Sequence, residues 1–387
     1  MMTLSSRAQR FAPPMAWAER DLKAVAHNLE AIKKAAGLKL KILCVVKADA
    51  YGHGNIAIAR LLAQKGVDFL GISDLHEGIA LRKAGIKKPI LMVENTLPEH
   101  AKYLVENKIT PIICTLELAR ALNSLGSRKR KKIPVHIKVD TGMGRLGVAA
   151  GDALDFAKAL TRLPWILVEG VCTHFPLSDK DTSFTRRQIK AFLEIVQDIR
   201  SSCGLVLPFV HAANSMGIVF YNKKGLSLVR AGLILYGMYP SPKIKSKIHL
   251  KPVMSVKSRI TFLKDVKKGQ GISYGHCFVA PRAMKVATIA IGYNDGYFRA
   301  FSNKAHVLIR GHLCPVLGTV TMDQIMVDVS RAKGVKIGDE VCVLGRQGKQ
   351  EITADELAKL AGTISYEVTC ALGGRVARIL KTKVGHG

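Results

Sequence analysis

The stretch CVVKADAYGHG, residues 44–54, places Lys47 at the end of an apolar run and directly before a glycine-containing turn. The apolar run has the composition of a buried strand, and the two glycines indicate that the chain turns at once. Lysine is among the residues least often buried, so a lysine at this position needs a reason beyond packing.

Similar apolar runs recur through the first 240 or so residues and alternate with segments that have apolar residues at helical spacing. The candidate strands are 41–48, 69–73, 89–93, 111–115, 134–140, 168–175, 207–214 and 228–237. Strands that alternate with helices in this way predict an α/β fold with an N-terminal (β/α)8 TIM-like barrel. An open doubly wound sheet is the alternative, because a strand count from sequence is easily wrong by one or two.

The pattern changes after residues 252–258, where the apolar runs become shorter and turn signals such as KKGQG, NDG and GRQG become frequent. Short strands separated by such turns are typical of an all-β region. The sequence therefore predicts two domains, a barrel over 14–248 and a smaller, mostly β domain over 249–387.

The net charge of +30 raises the possibility of nucleic-acid binding. The densest basic runs are RKRKK at 128–132 and KIKSKIHLK at 243–251, and neither is interleaved with the aromatic residues of a base-stacking platform. A solvated basic surface that attracts anionic ligands is favoured, with no nucleic-acid partner.

Nothing in the sequence resembles a signal peptide or a run of roughly 20 apolar residues, so no membrane association is expected. The eight cysteines form no CxxC pair and no disulfide-type or zinc-type spacing. Reduced, buried thiols in a cytoplasmic protein are the expectation.

Polar residues that are not ordinary turn formers follow five of the predicted strands, where a barrel collects its working residues. They are Lys47 and Tyr51, Lys138, Asp140 and Arg145, His174, Asn214 and Ser215, and Arg230 with Gly232. Each has an ordinary alternative: a lone histidine is usually structural, and Lys138 could simply pair with Asp140. Five strand ends that carry such residues together are harder to explain by structure alone.

The chemistry of this set favours a carbonyl partner. There is no phosphate-binding glycine motif of a nucleotide site, and the barrel strands supply too few paired ligands for a metal, so no metal is expected. A lysine with a lowered pKa can form a Schiff base. The glycine turns and Ser215 could hold the phosphate of a cofactor.

Long motifs in this sequence resemble those of the alanine racemase family, in that family's order and spacing. They are CVVKADAYGHG, KVDTGMGRLG (138–147), THF (173–175), HAANS (211–215), VRAGLILYG (229–237), ISYGHCF (272–278), IGYNDGY (291–297), MDQ (322–324) and ISYEV (364–368). The resemblance covers about residues 16–380. It implies a barrel that binds pyridoxal 5′-phosphate and a β domain that contributes the second catalytic base.

The resemblance also assigns cofactor contacts. Lys47 would bind pyridoxal 5′-phosphate as a Schiff base, and Arg230 would face the ring nitrogen, which a permanently charged arginine keeps unprotonated. The remaining cofactor contacts implied by the family are Tyr51, Ser215, Gly232 and Tyr366 at the phosphate, His174 against the ring and Arg145 at the phenolic oxygen.

Racemisation implies two bases, one on each face of the substrate Cα. By resemblance, Lys47 serves the D-alanine face and Tyr274 the L-alanine face once the substrate has formed the external aldimine. A free tyrosine is mostly neutral at pH 7, so Tyr274 needs positive charge nearby, which we expect to come through His174 and Arg230. In the family this tyrosine comes from the partner subunit, which implies a homodimer with shared active sites.

Further positions follow from the same resemblance. Arg145 and the backbone at Met322 would bind the substrate, Tyr293 and Asp323 would line its entrance, and Lys138 matches a lysine that many relatives carbamylate. Tyr293 could equally be an ordinary turn residue, and Asp323 a local cap. The sequence departs from the family at Thr321, where Cys is common, and at Gly373–Gly374, where bulkier residues are common.

The favoured function is an alanine racemase that supplies D-alanine for peptidoglycan. A racemase for serine or for several amino acids is the alternative within the family. A pyridoxal-phosphate decarboxylase of similar build is disfavoured by Arg230, and a non-enzymatic cofactor carrier by the presence of a second domain with Tyr274.

Overall fold

The computed structural model describes residues 13–37 and 39–381, and the outer ends of the predicted domain ranges lie outside them. The chain forms two compact units. One, the barrel unit, comprises 25–50 and 55–251, and the other, the β unit, comprises the described residues up to Ala24, Tyr51–Gly54 and those from Pro252 onward. Compared with the predicted ranges 14–248 and 249–387, two N-terminal segments therefore group with the C-terminal part.

Among the described residues, ten strands precede Pro252. They are β1 (Trp17–Arg20), β2 (Lys41–Val45), β3 (Phe69–Ile72), β4 (Ile90–Met92), β5 (Ile109–Ile113), β6 (Ile133–Asp140), β7 (Val148–Ala149), β8 (Ile166–Cys172), β9 (Phe209–His211) and β10 (Leu228–Ala231). Eight of them form one sheet in the order β10-β2-β3-β4-β5-β6-β8-β9, with every neighbouring pair parallel.

Backbone hydrogen bonds join the two ends of this sheet. Ser227 N–H donates to Val210 O at 2.9 Å, and Arg230 N–H donates to Ala213 O at 2.9 Å. The eight predicted strands are thus present and the sheet curves into a near-closed barrel, which confirms the predicted fold class and excludes the open doubly wound alternative. The strands are nearly continuous in Val, Ile and Leu because a parallel barrel buries both faces.

Helices alternate with the barrel strands, and the first of them precedes β2. They are α1 (Leu22–Ala36), α2 (Lys47–Tyr51), α3 (Asn55–Gln64), α4 (Leu75–Lys83), α5 (Ala101–Glu106), α6 (Leu116–Lys129), α7 (Ala153–Thr161), α8 (Thr182–Cys203) and α9 (Ser215–Phe220). Local sequence sets several of their ends. The Asp181 carboxylate accepts from Phe184 N–H at 2.8 Å to start α8, and Gly204 ends it in a left-handed conformation.

The described part of the β unit contains ten further strands and two α-helices. They are β11 (Met254–Val266), β12 (Gly271–Ile272), β13 (Phe278–Val279), β14 (Met284–Ile289), β15 (His306–Ile309), β16 (His312–Leu317), β17 (Ile325–Asp328), β18 (Glu340–Gln347), β19 (Gln350–Ile352), β20 (Ala377–Leu380), α10 (Ala354–Ala361) and α11 (Ser365–Cys370). Its main sheet has the order β19-β18-β15-β16-β17-β14-β11-β1-β20. The N-terminal strand β1 lies antiparallel to β11 and parallel to β20.

Four of the five residues of α2 form a left-handed turn rather than an ordinary helix. Ala48, Asp49, Ala50 and Tyr51 have φ values of 52°, 51°, 55° and 55°. A non-glycine residue pays about 1–2 kcal/mol for this conformation, so the turn needs support. Asp49 provides part of it, because its carboxylate accepts from Asn55 N–H at 2.8 Å and its own N–H donates to Glu77 at 3.1 Å.

Two further observations bear on the sequence-based expectations. Each cysteine is a free thiol, but Cys277 and Cys370 are exposed, so the expectation that all thiols are buried was wrong. Within the described part of the chain, none of the helices combines the length and apolar character needed to span a bilayer.

Gly52 follows the left-handed turn and has a φ of +80°. A substitution at this glycine tests how closely the segment packs in the β unit. A Cβ at Gly52 would overlap the carbonyl oxygen of Thr369, whereas one at Gly66, with a similar φ of +75°, would meet nothing within 4 Å. We expect Gly52→Ala to lower the free energy of unfolding by about 3 kcal/mol, because backbone overlap adds to conformational strain. Gly66→Ala should cost only about 1 kcal/mol.

Denaturant unfolding of both variants measures the difference. Equal losses in the two variants would show that the close approach to Thr369 contributes nothing.

Candidate active site

Lys47 projects from the end of β2 into a cluster of charged side chains in the barrel unit. Its Nζ donates to Glu94 Oε1 at 3.2 Å, and Arg145 Nη2 lies 3.6 Å from the same oxygen. Glu94 follows β4 by two residues, and both Lys47 and Glu94 are largely buried. Sequence reasoning missed Glu94, although an acidic residue directly after a buried strand was a readable signal.

Arg230 on β10 is almost completely buried and donates only to neutral acceptors. Its Nη1 lies 3.0 Å from both His211 Nδ1 and His211 O. Its Nη2 donates to Thr173 O at 2.8 Å and Ala212 O at 3.1 Å, and lies 3.1 Å from His174 Nδ1. These partners lie at the ends of β8 and β9, so the guanidinium ties three strand ends together.

His174 is neutral in this arrangement. Burial, followed by the positive charges of Arg230, Lys138, Arg145 and Lys47, lowers the pKa of His174 to about 2. Because a guanidinium can only donate, the Nδ1 atom facing Arg230 must accept, and the imidazole proton is on Nε2. His174 therefore supplies a hydrogen-bond donor, and the positive charge expected from this pair comes from Arg230 alone.

Lys138 on β6 is buried beside two arginines. Burial lowers its pKa to about 8, and the guanidiniums of Arg230 and Arg145 act in the same direction, while Cys172 and Glu94 oppose them. It does not pair with Asp140, whose carboxylate instead accepts from the N–H groups of Gly142, Met143 and Gly144 at 2.7–2.8 Å. Asp140 thereby fixes the loop that carries Arg145, and the simple structural explanation for Lys138 is wrong.

Ser215 and Gly232 lie together after β9 and β10. The Gly232 N–H donates to Ser215 Oγ at 3.2 Å, and Ser215 is buried at the start of α9. The Asn214 carboxamide oxygen accepts from Gly217 N–H at 3.0 Å and caps this helix. A hydroxyl and a backbone N–H in one place are a suitable donor pair for a phosphate oxygen.

The charges in the barrel unit do not balance locally. Four cationic side chains, those of Lys47, Lys138, Arg145 and Arg230, act on His174, and the carboxylate of Glu94 pairs with two of them, Lys47 and Arg145. Such a surplus of positive charge in a partly buried pocket favours an anionic ligand.

Tyr51 and Tyr366 lie side by side in the β unit, with ring centroids 5.8 Å apart. Burial raises the pKa of Tyr51 above its ordinary value, and the neighbouring Tyr366 and Cys370 add to the effect. Tyr51 therefore remains a neutral hydroxyl group at pH 7, able to donate to an anion.

Tyr274 is strongly exposed in the β unit, with 74% of its surface accessible. It lies in the short 3₁₀ segment Tyr274–His276, where Ser273, Gly275 and His276 all have positive φ. The Thr319 hydroxyl donates to the Tyr274 carbonyl at 3.0 Å, and Ser273 Oγ donates to Thr319 O at 2.6 Å. The backbone is thus anchored while the phenol ring projects outward.

Met322, Tyr293 and Asp323 lie close together in the same unit. Asn294 N–H donates to Met322 O at 3.1 Å and Tyr293 N–H to Thr321 O at 3.0 Å, so the two turns are joined. A carbonyl only accepts hydrogen bonds, so the Met322 N–H is the backbone group of this residue that could donate to a carboxylate.

Arg375 links this pair of turns through two carboxylates. Its guanidinium contacts Asp323 at 2.8 Å and Asp295 at 3.1 Å. Sequence reasoning did not identify Arg375, because Arg375 and its partner Asp323 are 52 residues apart and their pairing leaves no local signal.

The two departures from the family pattern have local explanations. The Thr321 hydroxyl donates to Gln324 O at 2.8 Å and closes the turn that carries Met322. A Cβ at Gly373 would lie 2.7 Å from Asn294 O, so glycine permits a close backbone approach there, whereas Gly374 faces open space.

The structure thus brings the predicted residues together as two sets. Lys47, Lys138, Arg145, His174, Ser215, Arg230 and Gly232 lie at the strand ends of the barrel unit, and Tyr51, Tyr274, Tyr293, Met322, Asp323 and Tyr366 lie in the β unit. A parallel barrel with a lysine among excess cations at its strand ends, followed in the chain by an antiparallel β unit with exposed tyrosines, defines the class as a two-domain barrel protein whose barrel site suits an anion.

Comparison with known proteins then identifies the family. The family model for the alanine racemase N-terminal domain matches residues 20–240, and that for the alanine racemase C-terminal domain matches residues 253–380. The chain belongs to the alanine racemase family, which confirms the resemblance found in its motifs.

Individual relatives agree over nearly the whole chain. An alanine racemase of Halothermothrix orenii is 42% identical over 370 residues, covering 95% of this chain and 97% of the relative. The solved alanine racemase of Clostridium difficile has a TM-score of 0.90 at 38% identity, covering 96% of this chain and 97% of that one. That of Bacillus anthracis, solved with bound L-Ala-P, has a TM-score of 0.89 at 34% identity, covering 96% and 97%.

The environment of Lys138 predicts a pH-dependent cost to stability. The unfolded chain holds a proton on this lysine up to about 10.5, the native protein only up to about 8, a difference equivalent to roughly 3 kcal/mol. The cost is complete below pH 8 and disappears as pH rises towards 10.5. Lys138→Met should therefore stabilise the cofactor-free protein at pH 7, and its advantage should shrink between pH 8 and 10.

Urea unfolding in bicarbonate-free buffer measures this, with the exposed Lys180→Met as the matched control. An advantage of Lys138→Met that stays constant across this pH range would refute a strained lysine at this position.

Proposed function

We propose that this protein is a pyridoxal 5′-phosphate-dependent racemase that interconverts L- and D-alanine and supplies D-alanine for peptidoglycan. The observation that carries the proposal is Lys47 at the end of β2, next to Arg145 and in a pocket with excess positive charge. Membership of the alanine racemase family and the L-Ala-P bound to the Bacillus anthracis relative support alanine as the substrate.

The side chains present fit a phosphorylated aldehyde. Lys47 supplies the amine, Ser215 and the Gly232 N–H supply adjacent phosphate donors, and we assign Tyr51 and Tyr366 to the same phosphate. Arg145 is assigned to the phenolic oxygen and His174 to the ring. The excess of cations over carboxylates matches a ligand with two or more negative charges.

Bound pyridoxal phosphate would withdraw electrons from the Cα of an attached amino acid and so acidify its Cα–H bond. Arg230 limits this electron withdrawal, because its guanidinium offers only N–H donors and cannot supply a proton-sharing partner to the ring nitrogen. A carboxylate in that place would promote a longer-lived carbanion. Arg230 therefore favours a brief proton exchange over decarboxylation.

Two groups on opposite sides of the substrate would move the proton. We assign Lys47 Nζ to the D-alanine face and Tyr274 Oη to the L-alanine face. The exposure of Tyr274, at 74%, supports a role in the site of a second copy of the chain and hence a homodimer. In that site, the neutral His174 would present its Nε2–H and Arg230 its positive charge, both of which stabilise a phenolate.

We assign substrate binding to two hydrogen-bond donors and to the residues at the entrance of the site. Arg145 and the Met322 N–H would bind the substrate carboxylate. The Asp323–Arg375 ion pair beside Tyr293 would narrow the entrance, and its two charges would select against bulky apolar side chains.

A racemase that accepts serine or several amino acids remains the alternative, since it would use the same residues. Arg230 argues against a decarboxylase. An exposed Tyr274 on a second domain argues against a simple cofactor carrier.

Proton exchange tests the function directly. The purified protein should show a visible absorbance that borohydride reduction removes, and it should exchange the α-proton of both L- and D-alanine in deuterated water. Serine and larger amino acids, assayed in parallel, decide between the two racemase specificities. A colourless protein without exchange would overturn the proposal, and carbon dioxide release without exchange would favour the decarboxylase.

Tyr274→Phe should affect the two directions unequally. Removal of the phenolic oxygen should suppress proton abstraction from L-alanine by about 100-fold or more, while abstraction from D-alanine by Lys47 persists. The rate at which each enantiomer exchanges its α-proton for deuterium in deuterated water measures this. Tyr103→Phe, at another exposed tyrosine, is the matched control. Equal losses for both enantiomers with cofactor still bound would contradict the two-base assignment.

We also propose that Lys138 is carbamylated when bicarbonate is present. The neutral amine attacks carbon dioxide to form a carbamate and release a proton, and the new negative charge would pair with Arg145 and Arg230. Because burial lowers the pKa of Lys138 to about 8, the reactive neutral fraction rises through this pH. Labelled bicarbonate should give a carbamate NMR signal that grows between pH 7 and 9 and is missing in Lys138→Met, and a signal unchanged by that substitution would refute the assignment.

A further inference from the structure

A buried row of hydrogen-bonding groups runs through the barrel unit away from Lys47. It begins at Arg230, whose Nη1 lies 3.0 Å from His211 Nδ1. His211 Nε2 lies 2.8 Å from His136 Nδ1, and His136 Nε2 lies 3.4 Å from Glu169 Oε1. The two histidines are 1% and 0% exposed, and only the Glu169 side chain reaches solvent.

The chemistry of Arg230 fixes the direction of this row. A guanidinium has no acceptor, so His211 Nδ1 must accept and the His211 proton must be on Nε2. That proton points at His136 Nδ1, which must also accept, so the His136 proton is on Nε2 and points at the Glu169 carboxylate. Every group donates to the next one, from Arg230 to Glu169.

Both imidazoles are neutral, as this scheme requires. Burial, then Arg230, His136 and Lys138, lower the pKa of His211 well below its ordinary value. Burial also lowers the pKa of His136, although Glu169 acts in the opposite direction. Each ring therefore carries one proton and has one possible tautomer.

Packing prevents the His136 ring from rotating, so its two nitrogens cannot exchange places. Phe209 stacks on it with centroids 5.5 Å apart and an interplanar angle of 14°, and Phe69 meets it edge-on at 6.2 Å. A Cβ at Gly170 would lie 2.5 Å from His136 Nδ1, so the ring lies directly against the backbone of β8. The residue next to Glu169 is thus a glycine that admits the ring.

We propose that Glu169 is a positioning residue that, through His136 and His211, holds the Arg230 guanidinium in place for the reaction. The inference rests on the proposed function only in the assignment of Arg230 to the cofactor ring. The hydrogen-bonded row itself is a property of the protein without ligand.

The row transmits a change at Glu169 to Arg230. Without an acceptor there, the buried His136 Nε2–H has no partner, and this penalty is relieved only if the His136 proton moves to Nδ1 at the expense of the hydrogen bond between Arg230 and His211. That proton would face the His211 Nε2–H, so His211 would have to move its own proton to Nδ1. The new Nδ1–H would face the Arg230 guanidinium, which then loses one of its acceptors.

The direct test is the tautomeric state of the two histidines in the cofactor-free wild-type protein. Nitrogen-detected NMR of imidazole-labelled protein should show both His136 and His211 as neutral rings protonated at Nε2 and not at Nδ1. Either ring found protonated at Nδ1, or as an imidazolium at pH 7, overturns the proposal. This readout needs no racemase activity, so it fails independently of the proposed function.

Three variants then connect the row to the reaction. Glu169→Leu removes the acceptor and should shift the tautomer signals of both histidines, lowering kcat about tenfold with little change in the KM for alanine. Glu169→Gln keeps an acceptor oxygen, and its amide N–H can face solvent, so it should recover most of the kcat. Glu194→Leu, an exposed carboxylate on α8, should leave tautomers and kcat as in the wild type.

Unchanged tautomers in Glu169→Leu, or a kcat equal to that of the wild type, would overturn the positioning role. A lower kcat with unchanged tautomers would also count against it, because it would indicate a structural effect of the substitution alone. If Glu169→Leu does not fold, the wild-type tautomers and Glu169→Gln still decide the question.

Discussion

The buried Arg230 guanidinium closes the barrel and organises its site at the same time. The end strands β9 and β10 share no regular ladder, and the join between them depends on two backbone hydrogen bonds, one of which comes from Arg230 N–H itself. The Arg230 side chain then binds carbonyls and imidazoles at the ends of β8 and β9. A buried cation is costly without compensation, and here neutral dipoles provide most of it, so these strand ends are held in the positions that solvate the charge.

This arrangement explains why the site carries so much positive charge without collapsing into ion pairs. Of the four cations near the strand ends, only Lys47 and Arg145 share a carboxylate, that of Glu94. Arg230 is solvated by dipoles, and burial lowers the pKa of Lys138 to about 8, so Lys138 gives up its charge more readily than an exposed lysine. His174 accepts from Arg230 and stays uncharged, which leaves its outer N–H available. The pocket is thus prepared for an anion and has few carboxylates that would compete with it.

Much of the fold and of the site could be predicted from sequence because the signals are local. Each barrel strand is a short apolar run, and residues such as Lys47, His174 and Arg230 stand at the ends of those runs inside long motifs. Other features depend on partners far away in the chain. Glu94 contacts Lys47, which lies 47 residues earlier in the chain, and β1 pairs with β11 more than 200 residues later. The position of Glu94 after a strand marks it as polar and notable, but no local pattern reveals either pairing. The left-handed backbone of residues 48–51 was also invisible, because alanine rarely adopts it.

The interleaving of the two units determines the order in which the chain can be completed on the ribosome. The last barrel strand ends at Ala231, so the barrel unit can fold while the β unit is still being made. Strand β1, synthesised before the barrel strands, must wait for β11 and then for β20, which follow the barrel in the chain. Ribosomal synthesis therefore leaves the exposed edges of β1 unpaired for most of the elongation time, and the short length and charged end of this strand, WAER, limit its tendency to pair with other chains meanwhile.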